Sequence, residues 1–191
     1  VPAPPKILAA DIATQTGIAE GRPGETPSLS TLKFGGDGVS HARICANCLD
    51  WIACKLTDDP PDIIVIEAPL PIGAAIGRGR SNAKSIIRLQ GLYCIVLAAA
   101  TLKRIRVCDY EVGPIRTAFI GEPKLKGDEA KRRCKRMCEM LGWPAKNLDE
   151  ADAAALWYFA CASEAPKLAP IIHSGMHKRL INQSIAELFR A

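Results

Sequence analysis

Residues 62–67 read Asp-Ile-Ile-Val-Ile-Glu, an unbroken β-branched run between two acids. Side chains of this kind are stiff at χ1 and pack well on a pleated surface. A run without polar alternation suits a central strand covered on both faces, which points to an α/β protein with a partly parallel sheet. The strand stops on Glu67, and a Pro-rich turn, Ala68-Pro69-Leu70-Pro71, follows. Residues 6–11, Lys-Ile-Leu-Ala-Ala-Asp, repeat the pattern and stop on Asp11. A carboxylate at the end of a buried strand is costly unless it is solvated, paired or bound to a cation. If the two strands lie side by side, both acids emerge at one edge of the sheet and can share ions.

The rest of the chain supplies neighbours for these strands. Residues 17–20 and 28–34 read as short strands around a turn rich in Gly, Pro and Arg, and with residues 6–11 they predict an antiparallel meander. A helix is expected over 39–56, with Ile44, Cys48, Trp51, Ile52 and Leu56 on one face. After Glu67 come a Gly/Arg loop at 73–80, a long helix over 81–102, a strand at 104–110 and a short helix at 114–119. A basic helix over 128–141 and a core helix over 149–162 complete the domain, taken as residues 1–165. Pro166 and Pro170 punctuate a linker into a C-terminal extension, 166–191, where 176–190 can form an amphipathic helix. The order predicts a mixed five-stranded sheet, antiparallel meander plus parallel strands, flanked by helices, which is similar to the RNase H-like fold.

Asp149 and Asp152 stand three apart at the start of the last helix and point from one face of its first turn. Asp149 also suits the N-cap, whereas Asp152 precedes an Ala/Leu/Trp face and has no such explanation; Glu150 is expected to face solvent. Four carboxylates on rigid elements suit Mg²⁺ or Mn²⁺, hard cations that take oxygen ligands. Two such ions about 3.5–4 Å apart activate a water and stabilise the leaving oxygen in phosphodiester cleavage.

Bulk properties permit this chemistry. In 191 residues the net charge is +5, which allows a polyanionic partner. Between residues 116 and 136, Arg116, Lys124, Lys126, Lys131, Arg132, Arg133, Lys135 and Arg136 outnumber Glu122, Asp128 and Glu129. Segregation of this kind serves a phosphate backbone, or else marks a solvated helix face. The longest apolar stretch, around 91–100, is interrupted and flanked by Arg88 and Lys103, so no membrane span is expected. Without a leader-like N-terminus, a cytoplasmic protein with reduced thiols is expected. Among the eight cysteines, Cys45, Cys48, Cys134 and Cys138 leave a zinc site as the outside alternative.

The acids and their surroundings resemble the RuvC-type Holliday-junction resolvases of the retroviral-integrase and RNase H superfamily. The likeness lies in Ile7-Leu-Ala-Ala-Asp11 followed by Thr16-Gly17, in Ile64-Val-Ile-Glu67, in Ser85-Ile-Ile-Arg-Leu-Gln-Gly91 and in Asp149-Glu-Ala-Asp152-Ala. Val112-Gly-Pro-Ile-Arg116 with Gly121 and the lysines after it resembles the family's approach to its basic helix, and coverage runs over about residues 6–162. The resemblance implies Asp11, Glu67, Asp149 and Asp152 as catalytic metal ligands, with Asp149 or Asp152 as the alternative orienter of the attacking water. It implies Lys124, Lys126 or Lys131 near the scissile phosphate, and Arg116 on the backbone. It also implies a homodimer built on the helix after the Gly/Arg loop, acting on four-way or other branched DNA and leaving a 5′-phosphate. The chain departs from the family after the second acid, where Leu70 and Ile72 stand in place of a junction-stacking aromatic.

Arg78 and Arg80, in a loop whose glycines let backbone approach phosphate, join Arg116, Lys124, Lys126, Lys131, Arg132 and Lys135 as candidate nucleic-acid contacts. On the basic helix, Lys131, Arg132, Lys135 and Arg136 are expected outward, with Ala130, Cys134, Met137 and Leu141 inward. Two other readings keep the fold: a nuclease of flaps or structured RNA, and a junction-binding protein with little turnover.

Overall fold

The computed structural model describes residues 3–69, 83–125, 127–171 and 176–177. The Gly/Arg loop with Arg78 and Arg80, Lys126 and most of the C-terminal extension lie outside them. Five strands, Ile7–Asp11 (β1), Gln15–Gly21 (β2), Ser28–Lys33 (β3), Ile63–Glu67 (β4) and Arg106–Tyr110 (β5), form one sheet in the order β3-β2-β1-β4-β5. β1, β2 and β3 are the antiparallel meander, and β4 and β5 run parallel to β1. Among the described residues, helices His41–Asp58 (α1), Ala83–Leu102 (α2), Val112–Ile120 (α3), Gly127–Leu141 (α4) and Leu148–Glu164 (α5) flank the sheet. This is the mixed sheet of the RNase H-like fold.

Strand periodicity divides the core into two layers. Ile7, Ala9, Ile63 and Val65 pack with α3, α4 and α5, around Phe119, Met137 and the fully buried Trp157. Leu8, Ala10, Ile64 and Ile66 face the other way, onto Ile44, Cys48 and Ile52 of α1 and Leu92, Val96 and Ala100 of α2. Each fully buried Ile or Leu contributes roughly 1.5–3 kcal/mol relative to exposure. The same alternation continues to the strand ends and carries Asp11 and Glu67 towards the α5 layer. Ala10 is paired with Ile66 across the parallel ladder, so the two acids sit one step further along adjacent strands.

α2 is long and apolar enough, by length and composition, to cross a membrane, contrary to the expectation from its interrupted sequence. One side packs on α1 and the sheet, while Ile87 and Leu102 are exposed on the opposite surface.

Two local devices hold the α5 layer against the sheet. The Thr16 hydroxyl donates to Ala13 O at 2.7 Å and accepts from Ala13 N at 3.1 Å, closing the turn between β1 and β2. The next residue, Gly17, lies under the start of α5 so closely that a Cβ there would stand 1.9 Å from the Asp149 carbonyl oxygen. The obstacle is backbone and cannot swing aside.

α5 is capped by Asn147, whose side-chain oxygen accepts from Glu150 N at 2.9 Å. That corrects the expectation that Asp149 is the N-cap: the helix begins one residue earlier, at Leu148, and Asp149 is free to point elsewhere. Glu150 is likewise not on the solvent face. It is 3% exposed and accepts from Thr31 Oγ1 at 3.1 Å and Lys146 N at 2.8 Å, tying the helix start to β3.

Gly17→Ala is expected to cost at least about 1–3 kcal/mol of unfolding free energy, the range for overpacking a closed site. Urea unfolding followed by tryptophan fluorescence measures it, and wild-type stability would contradict the tight contact between β2 and α5.

Candidate active site

Asp11 ends β1, Glu67 ends β4, and Asp149 and Asp152 lie in the first turns of α5. Sheet register and the seating of α5 on Gly17 bring all four to one edge, close enough that Asp11 feels Asp152 and Asp149, and Glu67 feels Asp11 and Asp152. Lys131 of α4 reaches into the group. Its Nζ lies 3.2 Å from Asp149 Oδ1 and 3.1 Å from Asp152 Oδ2. The second oxygen of Asp149, Oδ2, accepts from Gln15 Nε2 at 2.6 Å. No hydrogen-bond donor among the described residues meets the carboxylates of Asp11 or Glu67.

Burial sets the protonation of this cluster. Burial, reinforced by Asp152 and Asp149 and opposed by Lys131 and Arg116, pushes Asp11 up to about 6. Glu67 is pushed further, to about 8, by burial and then by Asp11 and Asp152, with Arg116 and Lys131 opposing. Asp152 is also raised by burial, although Lys131 and Arg116 pull against it. Burial works to lower Lys131, but Asp152 and Asp11 more than reverse it and hold the ammonium protonated. Groups this strongly coupled titrate as a set.

A cleft of about 280 Å³ opens on the cluster, lined by Asp11, Glu67 and Lys131 and walled on the α2 side by Ile86, Leu89, Gln90 and Tyr93. Tyr93 donates its hydroxyl to Asp109 Oδ2 at 3.1 Å, which orients the ring. A smaller recess behind it contains Asp11, Glu67, Arg116, Cys134 and Asp152.

The basic residues divide into separate groups. Lys131 faces the acids instead of solvent, correcting the expected outward stripe. Arg133 is buried in ion pairs to Glu122 at 2.6 Å and Glu129 at 3.0 Å, so it holds α4 in place. Arg132 is exposed and paired with Glu129 at 3.2 Å. Arg116 borders the smaller recess while donating to Leu125 O at 2.6 Å, and Lys135 donates to Lys146 O at 3.3 Å. Lys124 is exposed on the turn before α4.

The cysteines are free thiols. Cys48 belongs to the α1 layer, and Cys134 and Cys138 to the opposite one, so the sheet separates the pairs and a zinc site built from them is excluded. Among the described residues, no three acidic, histidine or cysteine groups form a ready-made metal shell. What the cluster offers is a donor set: half-buried carboxylates, two of them without hydrogen-bond donors among the described residues, which suits a hard divalent cation.

Sequence reasoning missed Gln15, Gln90 and Tyr93. The signal for Gln15 was present in its place immediately after the acid-bearing strand, where the chain turns back past Asp11. Gln90 and Tyr93 required the placement of α2 beside the cleft.

No protein-family model and no curated relative matches the sequence. Solved structures match in three dimensions. RuvC of T. thermophilus in complex with a Holliday junction substrate is similar with a TM-score of 0.64 at 15% identity, over 87% of this chain and 99% of that chain. Another Thermus thermophilus RuvC structure gives 0.59 at 17% identity with the same coverage. The yeast mitochondrial Holliday junction resolvase Ydc2 gives 0.52 at 11%, over 86% of this chain and 81% of that chain. The chain has the fold of these resolvases.

The raised carboxyl pKa values have a definite consequence for stability. An acid that binds its proton more tightly when folded stabilises the fold fully below its ordinary range, about pH 4, and loses that contribution as pH rises through its folded value. For Asp11 the loss is centred near 6 and for Glu67 near 8. In chelator, Glu67→Gln is therefore expected to melt higher than wild type at about pH 8.5, with the advantage shrinking towards about pH 5. Melting curves at the two pH values decide it, and an equal difference at both would refute the buried-acid assignment.

Proposed function

We propose that the chain is a metal-dependent endonuclease that cleaves branched DNA, with four-way junctions as the preferred substrate. The observation that carries this reading is the meeting of Asp11, Glu67, Asp149 and Asp152 at one edge of a sheet folded like that of RuvC-type resolvases. Mg²⁺ or Mn²⁺ suits the carboxylate donors, and Asp11, Glu67 and Asp152 are the residues to hold it. Such a cation supplies charge stabilisation to a phosphodiester and lowers the pKa of a bound water. The protein's own residues do the rest. Burial of Glu67 and Asp11 keeps a low-dielectric floor beneath the scissile phosphate, which strengthens every charge interaction made there. Arg116 and Lys131 face the same floor and balance the phosphate's approach to the acids. Exposed Lys124 and Arg132 are placed for backbone contacts, and Arg78, Arg80 and Lys126 are proposed contacts by sequence. Lys135 joins them from the exposed side of α4. The cleft is apolar on its α2 side, where Tyr93 offers a ring beside the acids in place of the aromatic absent after Glu67.

A four-way junction is two-fold symmetric, and paired cuts need two active sites. Ile87 and Leu102 give α2 an exposed apolar surface away from the cleft, 62% and 85% exposed. We assign this surface to a homodimer contact. The protein is expected to sediment as a dimer, and Ile87→Asp to shift it towards monomer with its melting curve little changed; a wild-type monomer at micromolar concentration would contradict the assignment.

The substrate assignment is tested by incubating the protein with a synthetic four-way junction, a flap, plain duplex and an RNA:DNA hybrid, in Mg²⁺, Mn²⁺ or chelator. Paired nicks confined to the junction, lost in chelator, are expected. Asp11→Asn is expected to lower the rate by about two to three orders of magnitude, the loss typical of removing one group that stabilises charge in the transition state. Preference for the flap or the hybrid would replace the junction as substrate, and full activity of Asp11→Asn would overturn the nuclease site itself.

A further inference from the structure

The C-terminal extension is anchored to the domain at two points. After α5 a turn closes with Leu168 N donating to Ala165 O at 2.9 Å, and Ala169 packs against the layer of α3, α4 and α5. Met176 returns to the same layer. Beside it the His177 imidazole lies on Gly121, the residue that ends α3 in the left-handed conformation, φ 79°. A Cβ on Gly121 would stand 2.9 Å from His177 Cγ and 3.0 Å from its Nδ1, so the glycine serves the ring as well as the helix end. His177 Nε2 is buried without a hydrogen-bond partner. Fit and packing hold the ring, not a polar bond.

The dock lies on the corner between α3 and α4. Two side chains cross this corner: Arg116 of α3 donates to Leu125 O at 2.6 Å, and Arg133 of α4 pairs with Glu122 at 2.6 Å. Arg116 also borders the recess that contains Asp11, Glu67 and Asp152, so one arginine side chain joins the corner to the acids. Lys124 is exposed on the corner. Of the acids nearby, Glu122 and Glu129 are engaged by Arg133, and Asp128 is the exposed one. Chain connectivity adds to this. Lys178 and Arg179 follow His177 directly. Successive Cα atoms are about 3.8 Å apart, so both residues start within roughly 7 Å of the dock whatever path the later residues take.

We propose that the C-terminal extension is a second nucleic-acid contact of the protein: Met176 and His177 dock it at Gly121, and the dock holds Lys178 and Arg179 beside Lys124 as one basic patch for a phosphate backbone leading to the acids. Each of these cations can neutralise a phosphate and release a counterion. The dock matters because charges on a free tail must be ordered when the partner binds, whereas docked charges are ordered beforehand. The inference rests on the nucleic-acid reading above and adds a surface to it.

Fluorescence anisotropy of a labelled four-way junction in chelator, with the full chain and over a series of salt concentrations, tests the patch. Lys178→Ala/Arg179→Ala is expected to weaken binding about tenfold and to flatten the slope of log K against log salt by about 1.8, two phosphate contacts at about 0.9 each. Met176→Ala/His177→Ala keeps both charges and removes the dock; it is expected to weaken binding about threefold, the cost of ordering the freed segment, and to speed amide exchange at Gly121 and Glu122. Lys103→Ala, just beyond the end of α2 away from the acids, is expected to change affinity less than about twofold. Unchanged affinity and slope in Lys178→Ala/Arg179→Ala overturns the inference, and so does an equal loss in Lys103→Ala; junction binding by wild type then leaves the nuclease reading intact. Wild-type affinity in Met176→Ala/His177→Ala overturns the dock as the device that places the charges. Wild type that does not bind the junction removes the nuclease reading and this inference together. Circular dichroism establishes folding; if Met176→Ala/His177→Ala does not fold, His177→Ala takes its place, and the salt slope of Lys178→Ala/Arg179→Ala decides if that fails too.

Discussion

The parallel pairing of β1 with β4 is the constraint on which the rest depends. Because Ala10 faces Ile66 across that ladder, the next residue of each strand is an acid, and the two acids share one edge. A one-residue slip would turn one strand's side chains to the other face and separate Asp11 from Glu67 by the thickness of the sheet. The register is held by apolar residues that have no part in chemistry. Ile7, Ala9, Ile63 and Val65 fill one layer, and Leu8, Ala10, Ile64 and Ile66 the other. Core packing and site geometry are consequences of one pattern.

α5 completes the site through a second steric condition. Gly17 lets the helix start descend onto β2, Asn147 caps it, and Glu150 anchors it to β3 through Thr31. Four polar residues at the same helix end thus have different work: Asn147 closes the helix, Glu150 ties it down, and Asp149 and Asp152 are left to meet Lys131. The buried carboxylate of Glu150 is satisfied by neutral donors, which hold it in place without bringing another positive charge into the neighbourhood. The result is a local concentration of cation attraction around Asp11, Glu67 and Asp152.

Much of this was legible in the chain itself, for identifiable reasons. β4 has no alternation and β1 ends the same way, so two strand-terminal acids could be read directly, together with the meander and the helical crossovers. The acid pair at the start of α5 was equally visible from its spacing. The roles within that pair were not. Asp149 and Asn147 are both good N-caps, and the choice depends on where Leu148 enters the helix, a matter of tertiary placement. Glu150 looked exposed because its partner, Thr31, comes from a strand more than a hundred residues earlier. On α4, a residue turns by about 100° per position, so Lys131 and Arg133 could not be assigned to acid cluster and buried ion pair from charge alone. Composition counted them together with the outward lysines and arginines.

That sorting of the basic residues alters what net charge means for this protein. A formal +5 permits a polyanionic partner, yet Arg133 is engaged by Glu122 and Glu129, Lys131 by Asp149 and Asp152, and Lys6 and Lys55 by Glu20 and Asp59 at the far end of β1. The positive charge that can meet a phosphate backbone is therefore smaller and more localised than composition implies. Long-range attraction by such a surface is modest and falls within a Debye length of about 8 Å at physiological salt. Under the proposed function, discrimination among nucleic acids comes mostly from shape: how a branched backbone fits between the apolar α2 wall and the acid floor of the cleft. On the proposed reading, a duplex offers one continuous backbone to that cleft, whereas a junction offers strands that part at the crossover and can enter the proposed dimer from both sides. Under the proposed function, acids that are costly to the folded state as they ionise are stabilised by the arriving cation.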